Sequence, residues 1–265
     1  MNGPAELWQQ NLKKEGYEHK CKNIWQYYLL RRLPRIWRSI IKITGIKKEA
    51  KIFEVGCGGG IHLIRLALNG FDVTGIDVSS EVLYRAKTFI DEVKSFDSSV
   101  VDKIKIINGD FMKINFEKYS IKQSYFDLTF NMGVIEHYLR QHDRIDFLVR
   151  KLNLTKSGGA IVCVVPSGVH PFRGEQKKLN WGGYNIPEVD YSSQMLFNEL
   201  KTAGAKKVKV IPHNIGGYLL TIPTKKWLKL FKVLKYLMYQ LSTNILTDNF
   251  KINHAYSLIG VGWKE

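Results

Sequence analysis

From Lys51 onward, short apolar runs alternate with stretches whose apolar residues recur at helical spacing, as in parallel strands covered by helices on both faces. KIFEVG reads as a first strand, FDVTGIDV as a second, DKIKIINGD as a third, YFDLTFNMG as a fourth and GGAIVCVVPS as a fifth. Between the first two, Ile61, Ile64, Leu66 and Leu68 predict a helix over residues 61–69, stopped by Gly70. After the second, Ser79 or Ser80 is placed to cap a helix that starts at Glu81 and carries Val82, Leu83, Ala86 and Ile90. Further helices are expected over residues 137–152 and 193–203, then a sixth strand in AKKVKVIP and a last one in HAYSLIGVGWK. Two segments interrupt this order. Residues 168–192 are polar and rich in glycine and aromatic residues, too long for an ordinary connection and therefore read as functional. Residues 224–241 read as a lysine-rich helix within a longer insertion, 212–250.

The run IFEVGCGGGIH sets a carboxylate, Glu54, in an apolar strand and then four glycines in five positions. Glycine packs nothing and gives up backbone entropy, so such a cluster calls for a tight turn against a ligand. A dinucleotide fingerprint GxGxxG would put glycine at position 61, which is Ile61; the register that fits is ExGxGxG, through Glu54, Gly56, Gly58 and Gly60.

FEVGCGGG, VTGIDVS, NGDFM and FNMGVIEH, in this order, resemble the motifs of class I S-adenosylmethionine-dependent methyltransferases, of the broad group with a GVxEH-like segment after the fourth strand. The resemblance covers residues 51–167, with weaker support from the final strands. It implies a Rossmann-like α/β fold: a seven-stranded, mostly parallel sheet with helices on both faces, its last strand antiparallel. It also implies one domain over 1–265, with an N-terminal helical segment (1–48) over a cofactor-binding core (49–167) and a helical insertion before the last strand.

The same resemblance assigns roles. The first turn, with Gly56, Cys57, Gly58 and Gly60, would receive the methionine end of S-adenosylmethionine, with Glu54 facing its amino group. Asp77, 21 residues after Gly56 and followed by Val78, would hold both ribose hydroxyls, and a carboxylate suits two adjacent donors. Asp110, followed by Phe111, would accept from the adenine amine, while Asn131 and Gly133 would stand beside the reactive methyl. The sulfonium is already activated, so the protein mainly positions the nucleophile; a base is needed only for an acceptor that loses a proton. His137 is the candidate for that base. In related quinone O-methyltransferases this Glu-His pair resembles part of a divalent-metal site with an acid three residues earlier. Here that residue is Gly133, so no metal is expected. Cys57 is read as a packing residue whose backbone faces the ligand, and His142 and Asp143 as members of a solvated helix face. His170, Trp181, Tyr184, His213 and Tyr218 fall in the segments that would roof the acceptor.

Composition narrows the substrate. With 40 Lys+Arg against 24 Asp+Glu the net charge is +16, and residues 201–247 hold nine lysines and no acid. Nucleic acid is therefore one rival substrate, but the Asp/Asn-Pro-Pro-aromatic tetrad of adenine amino methylases is replaced by NMGV, and no cysteine follows a proline as in cytosine C5 enzymes. An RNA or protein acceptor stands as the alternative, and an NAD-dependent oxidoreductase as the second. The expected substrate is a small or amphipathic acceptor. Three cysteines without CxxC spacing read as reduced thiols, and the absence of a leader-like segment or a long uncharged apolar run predicts a cytoplasmic protein. In TKKWLKLFKVLKYLMYQL, Lys225, Lys229 and Lys232 fall on one helical side and Trp227, Leu230, Phe231, Leu234, Met238 and Leu241 largely on the other. This basic amphipathic pattern suggests peripheral contact with an anionic membrane.

Overall fold

The computed structural model describes residues 19–178, 186–215 and 246–265. Seven strands form one sheet: β1 (Lys51–Val55), β2 (Asp72–Asp77), β3 (Ile104–Asn108), β4 (Phe126–Met132), β5 (Thr155–Pro166), β6 (Lys207–His213) and β7 (Ser257–Trp263). Their order is β3-β2-β1-β4-β5-β7-β6, and β7 runs antiparallel between β5 and β6 while β1 to β5 pair in parallel. The expected sheet is the observed one, with the antiparallel strand inserted between β5 and β6. The order reverses between β1 and β4, and in such sheets the crevice at that switch, outside the carboxyl ends of the strands, is where ligands bind.

Helices cover both faces. On one lie α1 (Ile24–Arg31), α2 (Arg35–Thr44), α3 (Ile61–Ala67) and α4 (Ser80–Lys94), which bury Trp37, Ile40, Leu63, Leu83 and Phe89 against Ile52, Leu128 and Phe130. A short α5 (Ser99–Asp102) precedes β3. On the other, α6 (Gln141–Leu154) and, after α7 (Arg173–Lys178), α8 (Ser193–Thr202) bury Phe147, Leu148, Leu196 and Leu200 against Phe53, Phe126 and Ile161. A last helix, α9 (Asp248–Asn253), leads into β7. The caps follow the sequence: Ser79 accepts from the Val82 amide at 3.3 Å and Ser192 from the Met195 amide at 3.1 Å. No helix among the described residues is long and apolar enough to cross a membrane. The insertion helix expected at 224–241 lies outside the described residues.

One helix starts later than expected. His137 belongs to a short 3-10 turn, Ile135–His137, and α6 begins only at Gln141. The reason is Arg144, which is buried and donates to the carbonyls of Tyr138 and Leu139 at 2.9 Å each, taking the acceptors an earlier helical turn would have used. Glu199 of α8 accepts from the same guanidinium at 2.7 and 2.9 Å and from the Tyr191 hydroxyl at 2.7 Å, so this buried network ties α6, α8 and the turn after β4 together.

Removing one partner of a buried ion pair leaves the other charge uncompensated. Glu199→Ala is therefore expected to destabilise the protein by about 3–5 kcal/mol in urea titration, and an apolar replacement of both residues to recover most of it.

Candidate functional site

Glu54 is level with Gly75, and Val55 with Ile76, so β1 and β2 end at the same edge of the sheet. The chain leaves β1 through a turn in which the amides of Gly56 and Cys57 both donate to the Ile76 carbonyl, at 2.8 and 3.1 Å. The Gly58 amide donates to Asp77 Oδ2 at 2.9 Å, and the Ser79 amide to Oδ1 at 3.0 Å. Gly56 has φ +74° and its Cβ would stand 2.5 Å from Val134 Cγ2, so both backbone and space require glycine there. Gly60, at φ +77°, is the residue before α3, and a Cβ there would come within 3.2 Å of Ala86 Cβ. The contact at Gly56 also brings the turn after β4 onto the turn after β1, joining the first and fourth motifs into one site.

Glu54 is buried, and its Oε2 has no hydrogen-bond partner among the described residues. Burial pushes its carboxyl well above the ordinary value, and the neighbouring Asp77 charge pushes in the same direction. Burial also raises Asp77, against the lowering pull of the Ser79 and Gly58 amides. Two carboxyl groups side by side, one with an orphaned oxygen, are costly until a donor or a cation completes them.

The other expected residues divide. Val78 is held by Asn108, whose amide donates to the carbonyls of Asp77 and Val78 at 3.1 Å each; that role carries no sequence signal beyond Asn108 ending the third strand. Asp110 accepts from the Met112 amide at 2.9 Å and shapes its turn, with Lys113 Nζ 3.7 Å from the carboxylate. The Phe111 ring turns into the core against Phe147 and Phe116, at 5.0 and 5.8 Å between centroids. Cys57 is buried, and a Cβ added to Gly75 would stand 2.8 Å from its Sγ, so the thiol packs against β2 as read from the sequence. Asn131 is fully buried and accepts from Lys151 Nζ at 2.6 Å, so its side chain faces α6. Lys151 also donates to the Val162 carbonyl at 2.7 Å and lies 3.3 Å from Cys163 Sγ; burial lowers its pKa. Nothing in an amphipathic helix marks such a lysine as internal. His142 and Asp143 sit on the outer face of α6 as expected, 3.0 Å apart.

After β4, Gly133 at φ +69° turns the chain and its amide donates to the Val164 carbonyl at 3.1 Å. Glu136 and His137 follow, both buried. His137 Nδ1 lies 3.1 Å from the Pro187 carbonyl, and burial lowers the imidazole pKa. Glu136 Oε2 has no hydrogen-bond partner, and its carboxyl is pushed up to about 8, mainly by burial. The Val189 amide donates to the Glu136 carbonyl at 2.7 Å, which docks residues 186–190 on this turn and brings in Glu188. One ligand atom each from Glu136, His137 and Glu188 lie within 4.8 Å of one another. Glu188 itself bonds Arg173, which also reaches Asp190 at 3.1 Å. Sequence reasoning missed Glu188, whose only signal is the excess length of its segment. Of the expected roof residues, His170 is buried and accepts from the Phe172 amide at 3.1 Å, and His213 pairs with Ser257 at 3.0 Å. Trp181, Tyr184 and Tyr218 lie outside the described residues.

Residues 53–163 match the family described as "Methyltransferase domain". A ubiquinone biosynthesis O-methyltransferase of Nitrosomonas europaea is 32% identical over 121 residues, 45% of each chain, so this chain spans less than half of that relative. A solved S-adenosylmethionine-dependent methyltransferase of Thermotoga maritima is 13% identical with a TM-score of 0.57, over 98% of this chain and 99% of the other. The magnesium protoporphyrin IX methyltransferase of Synechocystis, solved with S-adenosylhomocysteine bound, is 13% identical with a TM-score of 0.55, over 98% and 94%. At such identities the structures establish the fold.

The raised carboxyl of Glu54 has a sign that can be measured. Its folded pKa exceeds the unfolded value, so the stability it contributes is present below about pH 4.5 and is lost as pH rises through the folded pKa. Urea midpoints without ligand should therefore fall with pH less steeply in Glu54→Gln than in the parent, and the substitution should raise stability at neutral pH.

Proposed function

Residues 53–163 being a methyltransferase domain of class I fold, we propose that this chain transfers a methyl group from S-adenosylmethionine to a small or lipid-like acceptor. The observation that carries the reading is Glu54 beside Asp77: two carboxyls raised by burial, one oxygen orphaned, over a turn of left-handed glycines. S-adenosylmethionine supplies what that site lacks. Its cationic amino group answers Glu54, and its ribose hydroxyls are donors for the lone pairs of Asp77 that the Gly58 and Ser79 amides leave over. Gly56, Gly58 and Gly60 clear the approach, and Gly133 does so on the fourth-strand side. Val78 and Asp110 would flank the adenine. Cys57, Phe111 and Asn131 contribute through backbone, since their side chains are engaged elsewhere. The ubiquinone-biosynthesis relative is consistent with a lipid-like acceptor, and a tRNA U34 carboxymethyltransferase of Proteus mirabilis, 24% identical over 196 residues, keeps RNA as the alternative.

In this reading His137 is the base for an acceptor that loses a proton. Donation from Nδ1 to the Pro187 carbonyl selects the tautomer with the lone pair on Nε2, and the lowered pKa keeps the ring neutral near pH 7. A second reading follows from Glu188, which supplies the acid that position 133 lacks. Glu136, His137 and Glu188 fit a divalent cation in ligand number and type, and the orphaned Glu136 oxygen favours it. Such a cation would polarise an acceptor oxygen as a Lewis acid.

Calorimetric titration with S-adenosylhomocysteine should show binding that Asp77→Ala weakens about tenfold or more, the loss of roughly one charge-assisted hydrogen bond. Binding of NAD in its place would transfer the chain to the oxidoreductases. Titration with Mn2+ followed by electron paramagnetic resonance separates the two readings of His137: uptake that Glu188→Gln abolishes supports the cation, and no uptake by the parent leaves the base.

A further inference from the structure

Helix α1 is apolar on two opposite sides. Tyr27 and Leu30 face inward and are buried, whereas Ile24, Trp25, Tyr28 and Leu29 are 46%, 76%, 57% and 66% exposed. At 3.6 residues per turn, positions 24, 25, 28 and 29 share one face, so these four side chains form one patch. Among the described residues nine large apolar side chains are exposed, and four of them sit on this eight-residue helix. A helix at home against water carries charge on that side. The helix is also rigidly held: the Cys21 amide donates to Glu92 at 2.6 Å, the Tyr27 hydroxyl to Asp97 at 3.1 Å, the Asn69 amide to the Arg31 carbonyl at 2.9 Å, and Asn23 caps the first turn. Its outer face is therefore presented preformed, and no ordering cost opposes its use.

Apart from Glu92 and Asp97, which bond the inner side of α1, the charge carried by the chain flanking the patch has one sign. Exposed Lys20 and Lys22 precede α1, exposed Arg31 and Arg32 end it, and exposed Arg35, Arg38 and Lys42 follow on α2. Between Glu18 and Glu49 the chain contains no acid. We infer that α1 docks on an anionic membrane surface, with Trp25, Tyr28 and Leu29 entering the headgroup boundary and the flanking Lys and Arg side chains meeting lipid phosphates. Tryptophan and tyrosine suit that boundary because each ring is apolar with one polar handle, and the cations complement a negative leaflet. This surface is formed by a different stretch of the sequence from the lysine-rich segment at 224–241, and nothing in the inference depends on the group transferred.

Co-sedimentation of the full chain with phosphatidylcholine vesicles, with and without phosphatidylglycerol, tests it. Binding should require the anionic lipid and weaken as salt is raised. Trp25→Ser/Leu29→Ser should lower the partition coefficient about tenfold or more, and Arg31→Gln/Arg32→Gln should flatten the salt dependence, both with an unchanged melting temperature because the residues are exposed. Lys225→Gln/Lys229→Gln/Lys232→Gln should leave the binding largely intact. The inference is overturned if the parent ignores anionic vesicles at low salt, if the α1 variants bind like the parent, or if the insertion variant alone loses binding. It is equally overturned if size-exclusion chromatography shows that the patch holds two copies together in vesicle-free solution.

Discussion

Glu54 and Asp77 set the constraint around which the rest of this molecule is arranged. Parallel pairing of β1 and β2 brings both carboxyls to one sheet edge, and burial makes their charges expensive. Amide donors at Gly58 and Ser79 relieve Asp77, but Glu54 keeps an orphaned oxygen. A fold that keeps such a conflict at the carboxyl ends of its strands is primed for a cation with donors attached. The glycines matter because a side chain at Gly56 would collide with Val134 and part the two halves of the site.

The turn after β4 is built by a different device. After β4 the chain does not enter a helix at once, because Arg144 captures the carbonyls of Tyr138 and Leu139 and is itself held by Glu199. The 3-10 turn that results keeps Glu136 and His137 at the sheet edge, and the Glu136 carbonyl and the His137 ring then bind the returning segment, through the Val189 amide and the Pro187 carbonyl, which delivers Glu188. The turns after β1 and β4 thus rest on separate supports, a sheet register on one side and a buried ion-pair network on the other.

Electrostatics also divides the molecule. The described stretch from Lys20 to Lys42 exposes Lys and Arg side chains, while Glu54, Asp77, Glu136 and Glu188 gather acidic groups at the ends of β1, β2 and β4.

The alternation of strand and helix, the cap at Ser79, the glycine turn and the acids at positions 54, 77 and 136 were legible in the sequence, because each depends on local periodicity or on a short run of backbone. What the sequence could not disclose is set by contacts between distant segments. Lys151 looks like a surface residue of an amphipathic helix until the register of β4 and β5 puts Asn131 Oδ1 and the Val162 carbonyl around it. The late start of α6 needs Glu199, and the Glu136, His137 and Glu188 cluster needs a segment whose own pattern is irregular. Local sequence therefore determined the kind of sheet and the acids at the ends of β1 and β2. Only the tertiary structure decided which polar side chains became internal, since burial and the pairing of distant charges depend on the assembled fold.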